Sequence, residues 1–206
     1  MFTMRGRGPL ALVSAAAIVL AAAVLRADSW PLPQPYAVFA STGEYFVRIL
    51  PKLPTAGRPA GGGATALVYR LQPNRSYALV ADVALVHPQS PVNVLVARSG
   101  SFITFDNWHE AGYGTVVGIY SADGRLVRGF TLEQLYDEKR LVKIPTSVSS
   151  RHWRCTPYHF VEPDEQKTVY VPEALGGYFV FDLATGAVVH HEGKRRECQA
   201  PPLPRP

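Results

Sequence analysis

Six times along this chain a short apolar-alternating run meets a turn and is followed by a second run of the same kind. Residues 36–40 lead through Ser41-Thr42-Gly43-Glu44 into 45–50, residues 66–71 through Gln72-Pro73-Asn74-Arg75 into 77–80, and residues 93–97 through Arg98-Ser99-Gly100 into 102–105. Residues 116–120 lead through Ser121-Ala122-Asp123-Gly124 into 126–130, residues 158–161 through Glu162-Pro163-Asp164-Glu165 into 168–171, and residues 178–183 through Ala184-Thr185-Gly186 into 188–190. β-Branched and aromatic residues fill the runs, and alternation at period two puts one face of each on a core. The turn residues are those that tolerate hairpin geometry. Six hairpins make about twelve short antiparallel strands. Taken in pairs they form three four-strand groups, roughly 36–83, 92–130 and 157–191, and an all-β fold class.

Two segments interrupt this pattern. Residues 57–63 (Gly-Arg-Pro-Ala-Gly-Gly-Gly) read as a flexible loop inside the first group. Residues 131–140 read as one short helix, with Thr131 as N-cap and Gln134 as its capping-box partner. Acidic residues precede basic ones along it, which suits the helix dipole. Residues 200–206 (Ala-Pro-Pro-Leu-Pro-Arg-Pro) are expected to form an extended tail.

The first 27 residues have the composition of a leader. Arg5 and Arg7 open it, residues 9–25 carry no charge, and Arg26 follows. That apolar run is longer than the ~7–15 residues of a secretory h-region and shorter than the roughly 20 of a spanning helix. It reads as a cleaved signal peptide or, alternatively, as an N-terminal anchor. The organisation expected is a leader over 1–27, a single β-rich domain over 28–199 and the proline-rich tail. The protein is then exported, periplasmic or secreted, and touches a membrane only through residues 9–25 if the leader stays in place.

The formal charge of +5 falls by the three leader arginines to +2 for the remainder, and the one tight basic cluster is Lys194-Arg195-Arg196. No basic face of the kind a nucleic-acid partner requires is present. The two cysteines, Cys155 and Cys198, both follow the leader. In an oxidising compartment they are expected to pair, closing a long loop worth ~4 kcal/mol. Without Cys-x-x-Cys, neither a zinc ribbon nor a thioredoxin-type centre is indicated.

Chemistry concentrates in two stretches. The first is Phe105-Asp106-Asn107-Trp108-His109-Glu110-Ala111-Gly112-Tyr113-Gly114, between two strands of the middle group. Asp106, His109 and Glu110 could supply acid, base or ligand groups. Trp108 and Tyr113 could stack on a sugar or another flat ligand, and Asn107 adds an amide. On this reading Trp108 and His109 border a ligand site instead of filling the core, because loops escape packing constraints. The second stretch, residues 147–155, places His152 and Trp153 beside Cys155. Ser149 and Ser150 lack a Gly-x-Ser-x-Gly elbow, so a serine nucleophile is not favoured. Adjacent His190 and His191 point to opposite faces of a strand and cannot share an ion, and no His-Glu-x-x-His occurs, so no metal site is expected. Phosphate loops are absent, and no cofactor is expected.

Turns of the Ser/Ala-x-Gly kind feed aromatic or β-branched strands at Ser41-Thr42-Gly43-Glu44-Tyr45-Phe46, at Tyr120-Ser121-Ala122-Asp123-Gly124-Arg125-Leu126-Val127, and at Phe181-Asp182-Leu183-Ala184-Thr185-Gly186-Ala187-Val188. With four antiparallel strands per group, the chain resembles β-propeller-type repeat proteins of the exported bacterial kind. The resemblance implies blade-like sheets. Three groups fall short of the four blades with which such rings usually close, which leaves an open half-ring, a part of an oligomer or a packed sandwich. Because no constellation has the spacing that catalysis would impose, while Trp and Tyr near polar groups suit binding, the function expected is that of an exported, non-catalytic protein presenting a binding surface. Its partner would be a small molecule, a glycan or an envelope protein. The alternative is an extracytoplasmic hydrolase or lyase using Asp106, His109 and Glu110.

Overall fold

The computed structural model of the chain describes residues 30–53 and 62–193. All of the elements below lie in one compact unit. The leader, most of the glycine-rich loop, Cys198 and the proline-rich tail fall outside the described residues. Among the described residues no helix is long and apolar enough to cross a membrane.

Twelve antiparallel strands form three four-stranded sheets, each built from four consecutive strands in chain order. The first sheet holds β1 (Tyr36–Phe39), β2 (Tyr45–Leu50), β3 (Thr65–Leu71) and β4 (Tyr77–Ala84). The second holds β5 (Pro91–Val96), β6 (Phe102–Asn107), β7 (Thr115–Tyr120) and β8 (Leu126–Thr131). The third holds β9 (His159–Phe160), β10 (Thr168–Pro172), β11 (Gly177–Asp182) and β12 (Val188–Glu192). The all-β class and the three groups are as the hairpin pattern predicts. β9 is shorter than the run from which it was expected.

Alternation decides how the sheets stack. On the first sheet Val47, Ile49, Ala66, Val68 and Val83 point inward and meet Val94, Val96, Phe102 and Tyr120 of the second. The other face of the second sheet, with Ile103, Phe105, Val117, Ile119 and Phe130, meets Val169, Val171, Phe179 and Phe181 of the third. The second sheet is thus the middle layer, and all six residues of β6 are buried. Fully burying one such aliphatic or aromatic side chain is worth ~1.5–3 kcal/mol, so these two interfaces carry much of the stability.

Polar contacts fix how the layers meet. Buried Gln166 accepts from the Arg98 N–H at 2.8 Å and donates to Ser41 Oγ at 2.9 Å. It thereby ties together the connections that follow β1, β5 and β9, one from each sheet. A different contact repeats between successive sheets. The β7–β8 turn sets Gly124 so close to Ala81 and Val83 of β4 that an added Cβ would lie 2.7 Å from Val83. The β11–β12 turn sets Gly186 against Val127 and Arg128 of β8, where a Cβ would lie 2.8 Å from Arg128. Each of these second hairpin turns therefore packs on the last strand of the sheet before it.

The single helix expected over 131–140 is instead two four-residue helices, α1 (Leu132–Leu135) and α2 (Glu138–Leu141). The Thr131–Gln134 pairing is present, with the Thr131 N–H donating to Gln134 Oε1 at 2.9 Å. Tyr136 breaks the run. It takes an extended conformation and is buried, and its hydroxyl donates to the Trp153 carbonyl at 3.2 Å. Asp137 then starts α2, accepting from the Arg140 N–H at 2.8 Å. A second N-cap and one inward-turned phenol outweigh the helix propensity of the intervening residues.

Candidate functional site

β6 ends in the first chemistry-bearing stretch, and the backbone there is unusual. Asp106 and His109 hold φ of 58° and 70°, in the left-handed region that non-glycine residues rarely enter. The surrounding contacts hold that conformation in place. Asp106 is 3% exposed, and its carboxylate accepts three hydrogen bonds: from the Gly112 N–H at 3.0 Å, from Trp153 Nε1 at 2.7 Å and from Arg154 Nε at 2.6 Å. Two of these donors come from the second stretch, so tertiary structure joins the two segments through Asp106. Arg154 also donates to Asn93 Oδ1 at 2.7 Å and lies over the rings of Phe105 and Tyr158. The Arg151 N–H donates to the Ala111 carbonyl at 2.8 Å. A Cβ on Gly112, itself at φ +80°, would lie 2.4 Å from the Arg151 carbonyl oxygen, so only glycine fits there.

Asn107 anchors the other side of the loop. Its Nδ2 donates to the Tyr113 carbonyl, which leaves Oδ1 to accept from His87 Nδ1 at 2.9 Å. His87 Nε2 lies 2.8 Å from Thr104 Oγ1. Asn107 Oδ1 takes the hydrogen bond of the proton on His87 Nδ1, while the Thr104 hydroxyl donates to the Gly118 carbonyl at 3.1 Å. His87 is fully buried, and burial lowers its pKa to about 4 against the opposing pull of Asn107 and the Asp106 charge.

The residues singled out in the sequence divide by exposure. Asp106, Asn107 and Trp153 are buried. Trp108 is buried too, at 6% exposure, with its backbone N–H donating to the Ser90 carbonyl at 2.9 Å. The expectation that Trp108 borders a ligand site instead of filling the core is corrected accordingly: the loop turns its indole inward. His109 and Tyr113 are half-buried, and Glu110 and His152 are exposed. Arg151 joins them, with its guanidinium 4.7 Å from the centre of the Tyr113 ring and 3.2 Å from Glu133. Ser150 is buried, and its carbonyl accepts from the Ser147 N–H at 2.7 Å in a tight turn. The result is a polar and aromatic rim drawn from two segments: His109, Glu110 and Tyr113 on the loop braced by Asp106 and Asn107, and Arg151 and His152 on the segment joined to it at Arg151. Cys155 is buried beside Arg154, while its expected partner Cys198 lies outside the described residues.

Besides Arg154 and His87, two further features escaped sequence reasoning, the Glu173 cluster and a cavity on the third sheet. Glu173 is buried with Arg140 against its carboxylate and His190 Nε2 at 3.1 Å. Burial first, and then the Glu173 charge, push the nearby Tyr136 phenol well above its usual range. The signal for Glu173 was in register: it continues the inward phase of Val169 and Val171. His190 faces inward on Phe179 at 4.4 Å between ring centres while His191 faces outward on Tyr178 at 4.6 Å, the opposite orientation expected for neighbours on a strand. Finally, a cavity of about 670 Å³ opens on the outer side of the third sheet, lined in part by Pro157, His159, Tyr170 and Tyr178. Among the described residues no group of three or more His, Cys, Asp or Glu is placed to hold a metal ion. No protein-family model matches the chain, and no curated protein matches it.

Proposed function

We propose that this chain is an exported, non-catalytic β-repeat protein of propeller-like build that binds a glycan on the rim formed by His109, Glu110, Tyr113, Arg151 and His152. The observation that carries the reading is the loop's backbone. Two non-glycine residues sit at positive φ in one short connection, held there by buried Asp106 and Asn107. Strain of this kind costs ~1–3 kcal/mol per residue and is characteristic of sites where geometry matters more than stability. The two segments together offer an acid, two imidazoles, a guanidinium and a phenol, with the guanidinium on the phenol ring. Such groups suit the hydroxyls and flat faces of a sugar. Asp106 suits catalysis poorly, because its carboxylate is spent on Gly112, Trp153 and Arg154 and is closed to solvent. This favours binding over the hydrolase or lyase alternative.

Nuclear magnetic resonance titration with chitohexaose, cellohexaose and soluble muropeptides tests the proposal. At least one probe is expected to shift the amides of residues 109–113 and 151–152. A Tyr113→Ala/His152→Ala variant is expected to lose binding at least tenfold with its unfolding midpoint unchanged. Unchanged affinity in that variant, or silence of those amides with all three probes, would overturn the assignment. Export carries a second expectation, a Cys155–Cys198 disulfide. Mass mapping without reductant should recover the linked peptides, and two alkylatable thiols would remove it.

A further inference from the structure

The outermost faces of the stack are its least accounted-for surfaces. The outer face of the first sheet carries one aromatic ring from each strand. Phe39 and Phe46 lie 4.9 Å apart between ring centres, Phe46 and Tyr69 stack at 4.6 Å, and Tyr77 meets Phe46 edge-on at 4.8 Å. Register places Leu79 beside Tyr69 and Leu71 beside Tyr77 on the same face. Phe39 is 56% exposed and Leu79 53%. The outer face of the third sheet carries a matching row, again one ring per strand. His159 and Tyr170 lie 5.0 Å apart, Tyr170 and Tyr178 4.8 Å, and Tyr178 and His191 4.6 Å. Exposed Val189 pairs with Val180 within this face. Contiguous apolar patches of this kind on a soluble surface mark association sites.

We infer that a second copy of this chain covers them, head to tail, with the first-sheet face of each copy against the third-sheet face of the other. Continuity with the contacts inside one copy identifies this occupant. Within the chain, the second hairpin turn of each following sheet packs on the last strand of the sheet before it, at Gly124 on β4 and at Gly186 on β8. The first sheet has a turn in the equivalent place, Gln72-Pro73-Asn74-Arg75 between β3 and β4, with Arg75 at φ 63° where the other two turns carry glycine, and among the described residues no sheet receives it. The third sheet has the matching last strand, β12, and among the described residues no turn lies upon it. A second copy supplies each missing half.

The arithmetic is adequate. A four-stranded face about six residues long covers roughly 400 Å² at ordinary strand spacing and rise. Two head-to-tail contacts bury four such faces, roughly 1,600 Å² in all, the size of a standard stable interface. Both contacts are used once by each copy, so a two-fold arrangement closes with no face left over. Six sheets result, within the four to eight at which radial sheet rings close. The inference is independent of what the rim around Tyr113 binds.

Light scattering on the mature chain is expected to give the mass of two copies. Two charge variants at exposed positions then test which faces meet: F39K/L79K on the first sheet and V189E/H191E on the third. Each alone is expected to be monomeric with the circular dichroism of the parent, and with an unfolding midpoint that, unlike the parent's, does not depend on protein concentration. Mixed one to one, they are expected to return to the two-copy mass, since one contact is then native and the other pairs lysine with glutamate. A parent that is monomeric at ~100 µM overturns the inference. So does a two-copy parent whose variants fail to rescue each other, which indicates like faces meeting like. A monomer in which hydrogen exchange is slow across β4 and β12 also overturns it, because the chain's own remaining segments then cover the faces.

Discussion

The two ends of β7 make opposite use of an aspartate. At its far end, the turn into β8 closes on itself: the Gly124 N–H donates to the Ser121 carbonyl at 3.0 Å, and the Ser121 hydroxyl donates to the Asp123 carboxylate. Everything Asp123 touches lies within a few residues, and the side chain stands in solvent. The Ser121 hydrogen bond, more than any other influence, holds its carboxyl below the usual range. At the near end, the connection from β6 is organised by Asp106, whose partners Trp153 and Arg154 lie more than forty positions away and are themselves buried. One aspartate shapes a turn, and the other holds two segments of the molecule together. The difference between them is burial, which turns a hydrogen bond of modest net worth into one that is costly to break.

Removing the two carboxylates is the strongest way to break this comparison. Asp106→Ala strands the buried Arg154 guanidinium and the Trp153 N–H, and is expected to cost ~3–5 kcal/mol in urea unfolding. A cost below ~1 kcal/mol would mean that Asp106 is no hub. Trp108→Ala, in the same loop, is expected at the low end of the ~3–5 kcal/mol range for buried aromatics. Circular dichroism should show the three-sheet fold retained in the surviving population.

pH sharpens the same contrast. Because the His87 pKa is lowered in the folded state, the unfolded chain binds more protons between about pH 6.5 and pH 4. Stability therefore falls as pH drops through that window, by roughly 3 kcal/mol at full protonation. The loss should flatten in His87→Gln, and an equal slope in that variant would assign the effect elsewhere. The smallest effect belongs to Asp123→Ala, which should leave the unfolding midpoint where it is in the parent.

Legibility followed the range of the interactions. The three groups of four strands were readable because alternation and turn chemistry act over a few residues, and a hairpin's register follows from its own turn. The loop at 106–114 stood out for its residue types, yet the inward side of Trp108 did not, since Trp108 and Tyr113 look alike in a string of letters. Arg154, Glu173 and His87 were passed over for the same reason. Each is a polar group in a solvent-excluded place, and its partner lies 17 or more positions away.

What the sequence settled by itself is the repertoire: strands of period two, hairpin turns, a helical interruption and two stretches dense in functional side chains. What only the tertiary structure decided is which faces those strands share and which side chains lose their water. The break at Tyr136 shows the reason. Local propensity favours one continuous helix there by tenths of a kcal/mol per residue, whereas burying one aromatic ring is worth several times as much. Wherever a long-range contact of that size competed with a local preference, the contact prevailed, and a chain read one neighbour at a time does not contain it.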